Sequence, residues 1–179
     1  MRNFLYIPLI LIVAGGGAFA LTKVLSVGNG VTADVGFLEC AATTGSVIMN
    51  TRPDACVRSD GRVFVENVSN LEAKKDLVRN VSIAPNEKVR SPLLVTGEAR
   101  GYWSFEADFP VRLLDGKGKV LDTAIATMQG DWMTQDFVPF TATLKFAHPQ
   151  TQVGLLILQK DNPSGLPEHD DEVLLQVTF

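Results

Sequence analysis

The chain is short of the side chains that most chemistry needs. Its 179 residues include two histidines, His148 and His169, and two cysteines, Cys40 and Cys56. Structural zinc takes four Cys or His ligands, and no histidine lies near either cysteine, which argues against a metal site there. No GxSxG, P-loop or HExxH pattern is present. The histidines fall in different loops, and no nucleophile has a sequence partner that compels a catalytic triad. Bases are scarce as well: 16 Lys and Arg stand against 20 Asp and Glu, for a net charge of -4. With no basic patch interleaved with aromatics, no nucleic-acid partner is expected. No like-charge run is long enough for a disordered tail, and no internal repeat is visible. These absences point away from an enzyme.

What the chain does have is apolar side chains, 46% of its residues, enough for one packed domain with small additions. The longest apolar run opens the chain. Arg2 precedes an uncharged run from Asn3 to Thr22, apolar from Phe4 to Leu21 apart from its glycines, and Lys23 closes it. Two readings stay open. Phe4 to Ala14 suits the h-region of a signal peptide, with Ala18-Phe19-Ala20 as a small-x-small cleavage site. Alternatively, the run is an uncleaved hydrophobic helix, because a bilayer core takes about 20 helical residues. Either reading exports everything that follows.

Cys40 and Cys56 then read most simply as one disulfide in an oxidising compartment. It closes a loop of about 15 residues, for which chain entropy gives roughly 3 kcal/mol. The expected order is a signal peptide or membrane anchor at 1–22, a spacer at 23–36, a two-cysteine module at 37–68, a helical linker at 69–80 and a β domain at 81–179. The helical linker is expected from Ser69 or Asn70 followed by Glu72, a capping signature, and from Leu71, Leu77 and Val78 sharing a loose helical face.

From Val81 onward the pattern is all-β. Strands are expected at Val81–Ala84, Leu93–Gly97, Tyr102–Phe109, Val111–Leu114, Val120–Thr127, Phe137–Phe146, Val153–Lys160 and Glu172–Phe179. Trp103, Phe105, Ala107 and Phe109 alternate with Ser104, Glu106 and Asp108, as do Phe140, Ala142, Leu144 and Phe146 with polar neighbours. Period two marks a strand with one wet face. Asp115-Gly116-Lys117-Gly118 reads as a tight reversal. Pro85, Pro92, Pro110 and Pro139 sit where a missing N–H is tolerated. This spacing suggests a sandwich or barrel. Arg100 and Glu106 are a candidate cross-strand pair.

The stretch with Glu39-Cys40-Ala41-Ala42, Gly45, Val47, Met49, Pro53, Cys56 and Asp60-Gly61-Arg62-Val63-Phe64 resembles a small two-cysteine module of bacterial secreted proteins. That resemblance brings no activity. The segment from about Asn80 to Phe179 resembles the immunoglobulin-like domain of bacterial spore germination proteins. The blocks that carry it include Ser91-Pro92-Leu93, Ala99-Arg100-Gly101, Trp103, Gly130-Asp131-Trp132-Met133-Thr134, Phe137-Val138-Pro139-Phe140 and Lys160 through Asp171. The resemblance implies an immunoglobulin-like β-sandwich used as an extracytoplasmic accessory module, without catalytic residues. The intersheet cysteine pair of antibody-type domains is absent, which leaves Trp103 or Trp132 to fill the centre.

Four aromatic or thioether side chains are candidates for binding: Tyr102, Trp103, Trp132 and Met133. Asp161, Glu168, Asp170 and Asp171 lie in the most polar segment, where clustered carboxylates suit calcium. The competing reading is an ordered loop whose acids accept hydrogen bonds; no EF-hand spacing is present. No other cofactor is expected. The expected role is a non-enzymatic extracytoplasmic module of the bacterial cell envelope that makes protein contacts. The alternative is carbohydrate or peptidoglycan binding, with Tyr102, Trp103 or Trp132 stacking on sugar rings. The expected partners are therefore an envelope protein or a cell-wall glycan, plus the membrane if the leader stays uncleaved.

Overall fold

The computed structural model describes residues 35–50 and 53–179. The leader expected at 1–22, and residues 23–34 of the spacer, lie outside them. Residues 35 and 36 do not continue a spacer: Val35 opens the helix α1, Val35–Ala41. Among the described residues, no helix is long and apolar enough to cross a membrane.

The first unit is small. Three-residue strands β1 (Val47–Met49), β2 (Ala55–Val57) and β3 (Val63–Val65) pair antiparallel in that order. Cys40 of α1 and Cys56 of β2 form the expected disulfide, with their Cα atoms 6.0 Å apart. Its core is little more than Phe37, the two cysteines and a half-buried Phe64. So few contacts bury little apolar area, and the crosslink's roughly 3 kcal/mol is a large share of what holds the unit. Register places Ile48, Cys56 and Phe64 on one face, and Val47, Met49, Ala55, Val57, Val63 and Val65 on the other. That second face has no charged residue, and Val47 and Val63 remain exposed.

The large unit is the β-sandwich. Its strands run β4 (Val78–Arg79), β5 (Leu93–Arg100), β6 (Asp108–Asp115), β7 (Val120–Met128), β8 (Phe137–Leu144), β9 (Val153–Gln159) and β10 (Glu172–Thr178). The strand order is β10-β9-β6-β7-β8-β5-β4. β7 meets β8 at only two pairs, Thr127 with Thr141 and Met128 with Phe140. The sheet therefore folds over at that seam into two layers. Phe109 of β6 and Phe140 of β8 meet edge to face, with centroids 5.0 Å apart. Gly97, opposite Phe140 in register, leaves room for that ring: a Cβ there would lie 2.8 Å from its ζ carbon. Around these rings pack Val95, Trp103, Val111, Leu113, Leu144, Leu156, Leu158, Val173, Leu175 and Val177, all buried.

Prolines inside β6 and β8 follow the ladder. Main-chain polar groups of alternate residues point to opposite sides of a strand. Gln129 N–H donates to Pro139 O, so the missing Pro139 N–H faces the β7 side beyond the two paired residues, not the long β5 ladder. Pro110 stands one residue before the β6–β9 ladder begins at Val111.

Three expectations fail. Tyr102–Phe109 is not a strand. Gly101–Trp103 is a 3-10 turn, Trp103 and Ser104 are both buried, and Phe105 is 45% exposed. Phe105 and Asp108 exchange both main-chain hydrogen bonds across Glu106 and Ala107, at φ 51° and 69°. That is a two-residue reversal with both central residues left-handed, which the alternation of side chains concealed. Val81–Ala84 is not a strand either: Asn80 at φ 52° breaks the chain after β4, and only Ser82 bonds back to Thr96. The linker is not a helix but turns over Leu71–Leu77, with two α-type bonds, Lys74 N–H to Asn70 O and Val78 N–H to Lys74 O.

Ser69 and Asn70 instead close a sheet edge. An edge strand exposes a row of unpaired N–H and C=O groups. Asn70 N–H donates to Leu174 O, its Oδ1 accepts from Leu174 N–H at 2.7 Å, and its Nδ2 donates to Glu172 O. Ser69 Oγ accepts from Gln176 N–H. Asn86 N–H takes Gln176 O, Val89 N–H takes Thr178 O, and Glu87 O accepts from Thr178 N–H. The outward groups of β10 from Glu172 O to Thr178 O are thus all paired. Val68 then packs on Leu114, Leu155 and Ile157, behind the same sheet.

Two predictions follow from these contacts. Asn70→Ala strips a donor and an acceptor from a half-buried edge, and urea denaturation is expected to show a loss of about 1–3 kcal/mol. Asn70→Asp, which keeps only the acceptor, falls between. Replacing Glu106-Ala107 by Asn-Gly, the pair that this reversal favours, is expected to raise stability by about 1 kcal/mol in the same measurement; a loss would mean that the left-handed pair carries no strain.

Candidate functional site

Three of the four candidate binding residues come together. Tyr102, Trp132 and Met133 line an open groove of about 430 Å³ with Gly101, Ser104, Thr134 and Gln135. Met133 is 78% exposed and Tyr102 47%. Trp103 is the correction: fully buried, it fills the sandwich centre, and Trp132 is only partly buried against that core. One turn of 3-10 backbone sends Tyr102 outward and Trp103 inward.

The groove is shaped by backbone. A Cβ on Gly101 would stand 2.1 Å from Trp132 O and 2.2 Å from Thr134 O, so only glycine lets the 131–134 loop lie against the 3-10 turn that follows β5. Gly101 N–H donates to Asp136 O, and Arg100 Nη1 donates to Gln135 O at 3.0 Å. Within the loop, Asp131 Oδ1 accepts from Met133 N–H and Thr134 Oγ1 from Asp136 N–H. Arg100 therefore does not pair with Glu106; its Nε goes to Asp76 O. Below the loop, the Phe137 ring has two guanidiniums against it, Arg79 at 3.7 Å and Arg100 at 4.0 Å from its centroid. Glu98 holds Arg79 at 2.7 Å and accepts from Asn80 as well, and the Arg79 hydrogen bond keeps the Glu98 carboxyl below its usual range. The loop is thus tied to the end of β5 and to its own side chains by hydrogen bonds. The groove lining holds no ionisable group except the Tyr102 phenol, so it suits contact and not proton transfer.

The acidic loop disperses its charges. Asp171 Oδ1 binds Lys74 Nζ at 2.6 Å and Glu172 N–H, and Asp170 Oδ1 accepts from Asn162 Nδ2. Glu168 is exposed on the short 3-10 turn Pro167–His169, and Asp161 is fixed through its N–H to Trp103 O. Among the described residues, no three of His, Cys, Asp and Glu gather as metal ligands. The four calcium candidates therefore do not converge on one point.

Residues 83–165 match the family model described as the immunoglobulin-like domain of bacterial spore germination. This segment carries that immunoglobulin-like domain, and the disulfide-bonded module precedes it. No curated protein and no solved structure is significantly similar to the chain. Tyr102, Trp132 and Met133 all lie inside the spore germination domain, whereas β10, which completes its sheet, lies beyond the matched residues. Sequence reasoning missed Gly101, Ser104, Thr134 and Gln135. Only Gly101 had a readable signal, a glycine between Arg100 and an aromatic pair at a strand end.

Gly101→Ala is expected to cost about 1–3 kcal/mol, the usual range for overpacking, and to change the Trp132 fluorescence environment. A variant with wild-type stability and emission would show that the loop does not rest on this backbone.

Proposed function

We propose that the chain is a non-catalytic accessory module of the bacterial envelope, outside the cytoplasm, that makes protein contacts through the groove at Tyr102, Trp132 and Met133. The observation that carries this reading is the composition of that groove. Tyrosine, tryptophan and methionine are enriched where proteins meet, and charged residues are depleted at the centres of such contacts. Here Trp132 and Met133 stand on a loop tied by hydrogen bonds to Gly101 and Arg100, Tyr102 stands on the adjoining 3-10 turn, and Met133 is the most exposed large apolar side chain among the described residues. A loop tied in this way loses less entropy on binding. The spore germination domain at 83–165 supports an accessory role. The disulfide supports an oxidising compartment, because cytosolic thiols are kept reduced.

A second reading is favoured by one feature of the same groove. Tyr102 lies exposed beside Thr134 and Gln135, an aromatic face flanked by polar groups that suits a sugar ring. A photo-crosslinking residue placed at Met133 in cells, with Lys117 as the control position, separates the two. Protein adducts at 133 that are absent at 117 and lost with Tyr102→Ala support protein contact. Cosedimentation of the purified chain with peptidoglycan, lost with Tyr102→Ala and without specific protein adducts, supports the glycan. If neither result is obtained, the assignment of this groove is overturned.

A further inference from the structure

A second groove lies at the other end of the sandwich. β5 and β8 run antiparallel, with Arg100 opposite Phe137 near the first groove and Leu93 opposite Leu144 at the far end. An eight-residue strand spans about 25 Å, which sets the separation of the two ends. At the far end, Lys88, Val89, Arg90, Ser91, Phe146, His148 and Phe179 surround an opening of about 450 Å³.

Its polar side chains share one capacity. Each can donate hydrogen bonds: the Lys88 ammonium, the Arg90 guanidinium, the Ser91 hydroxyl and the His148 ring. Ser91 Oγ accepts from Phe146 N–H at 2.9 Å, which leaves its own O–H to donate. No Asp or Glu lines the groove, in a chain with 20 of them and a net charge of -4. Elsewhere, Arg62, Lys74, Lys75 and Arg79 are neutralised by Asp60, Asp171, Glu72 and Glu98. Among the described residues, no carboxylate forms an ion pair with Lys88 or Arg90.

The donors stand on fixed backbone. Lys88 bridges in parallel to Thr178, and Val89 N–H donates to Thr178 O at 2.8 Å. Val89 is buried between exposed Lys88 and Arg90, so the two cations share the outward side of the segment. The floor is apolar: Phe146 and Phe179 meet edge to face with centroids 5.9 Å apart.

We infer that this groove binds a phosphate ester, with the phosphate between Lys88, Arg90, Ser91 and His148 and the organic part over Phe146 and Phe179. Arginine with lysine and a hydroxyl is a phosphate-binding donor set, and charge-assisted bonds to an unpaired guanidinium are the stronger kind. The site is separate from the groove assigned to protein contact, so either assignment stands without the other.

The test titrates the full chain at low salt with glycerol phosphate, followed by amide chemical shifts. Saturable shifts at residues 88–91 and 146–148 are expected. Lys88→Ala/Arg90→Ala should weaken binding at least about tenfold, while Lys117→Ala/Lys119→Ala, on the Asp115–Lys119 turn, leaves it unchanged. Cosedimentation with phosphatidylglycerol vesicles but not phosphatidylcholine vesicles, lost in the Lys88→Ala/Arg90→Ala variant, would identify a lipid headgroup as the source. Saturation by glycerol phosphate without vesicle binding would identify a free ester. No saturable shift and no vesicle binding, or equal binding by both double variants, overturns the inference. Unchanged thermal melting of the exposed-site variants excludes misfolding as the cause.

Discussion

The ring contact between Phe109 and Phe140 is the constraint on which the rest of the structure depends. The two halves of the sheet share only the short seam of β7 and β8. Main-chain bonding there is too slight to hold two layers face to face. What holds them is the apolar interior that these rings centre, and Gly97 is the vacancy that lets the Phe140 ring lie there. Interiors pack as densely as organic crystals, so a ring seated this way leaves its strand little freedom to shift. Once β8 is fixed, the loop before it and the loop after it are fixed too. Both grooves are consequences of that placement, one at each end of the β5–β8 pair.

The second constraint is the treatment of edges. A strand at the edge of a sheet invites pairing with a neighbour. Here β10 is covered by two segments from before the domain's first long strand, Ser69-Asn70 and Asn86–Val89. Asn70 serves because its side-chain amide can both donate and accept, as the main chain of a strand would. The segment that seals the edge also carries Lys88 and Arg90 to the rim of the second groove. Stability and a binding surface thus come from one piece of chain.

Much of the architecture was legible in the residues. β8 alternates Val138, Phe140, Ala142 and Leu144 with less buried neighbours as period two requires, and Asp115 organises the reversal at Gly118 with its own side chain. The disulfide was legible because two cysteines allow one pairing. The stretch from Tyr102 to Phe109 misled because two left-handed residues, neither of them glycine, carry no compositional mark of a turn. Ser69 and Asn70 misled because a helix cap and a strand-edge cap ask the same thing of a side chain: a short polar group near free main-chain amides. Of the first groove, Trp132 and Met133 were legible as a loop aromatic and a thioether, and Tyr102 as a stacking aromatic, although at the start of an expected strand. Trp103 was not, since adjacent residues on a tight turn face opposite ways.

The amino-acid order by itself determined the all-β class, the covalent staple, the strands from β7 to β10 and the scarcity of catalytic groups. Each of these is written in local periodicity, composition or a count. Which aromatic lies inside, which acids converge and which cations stay unpaired were decided only by the tertiary structure. Those properties depend on distances between residues far apart in the chain: Lys74 meets Asp171, Asn70 meets Leu174, and Lys88 meets Thr178. No window of sequence contains both members of such a pair, so chain closure alone sets their chemistry.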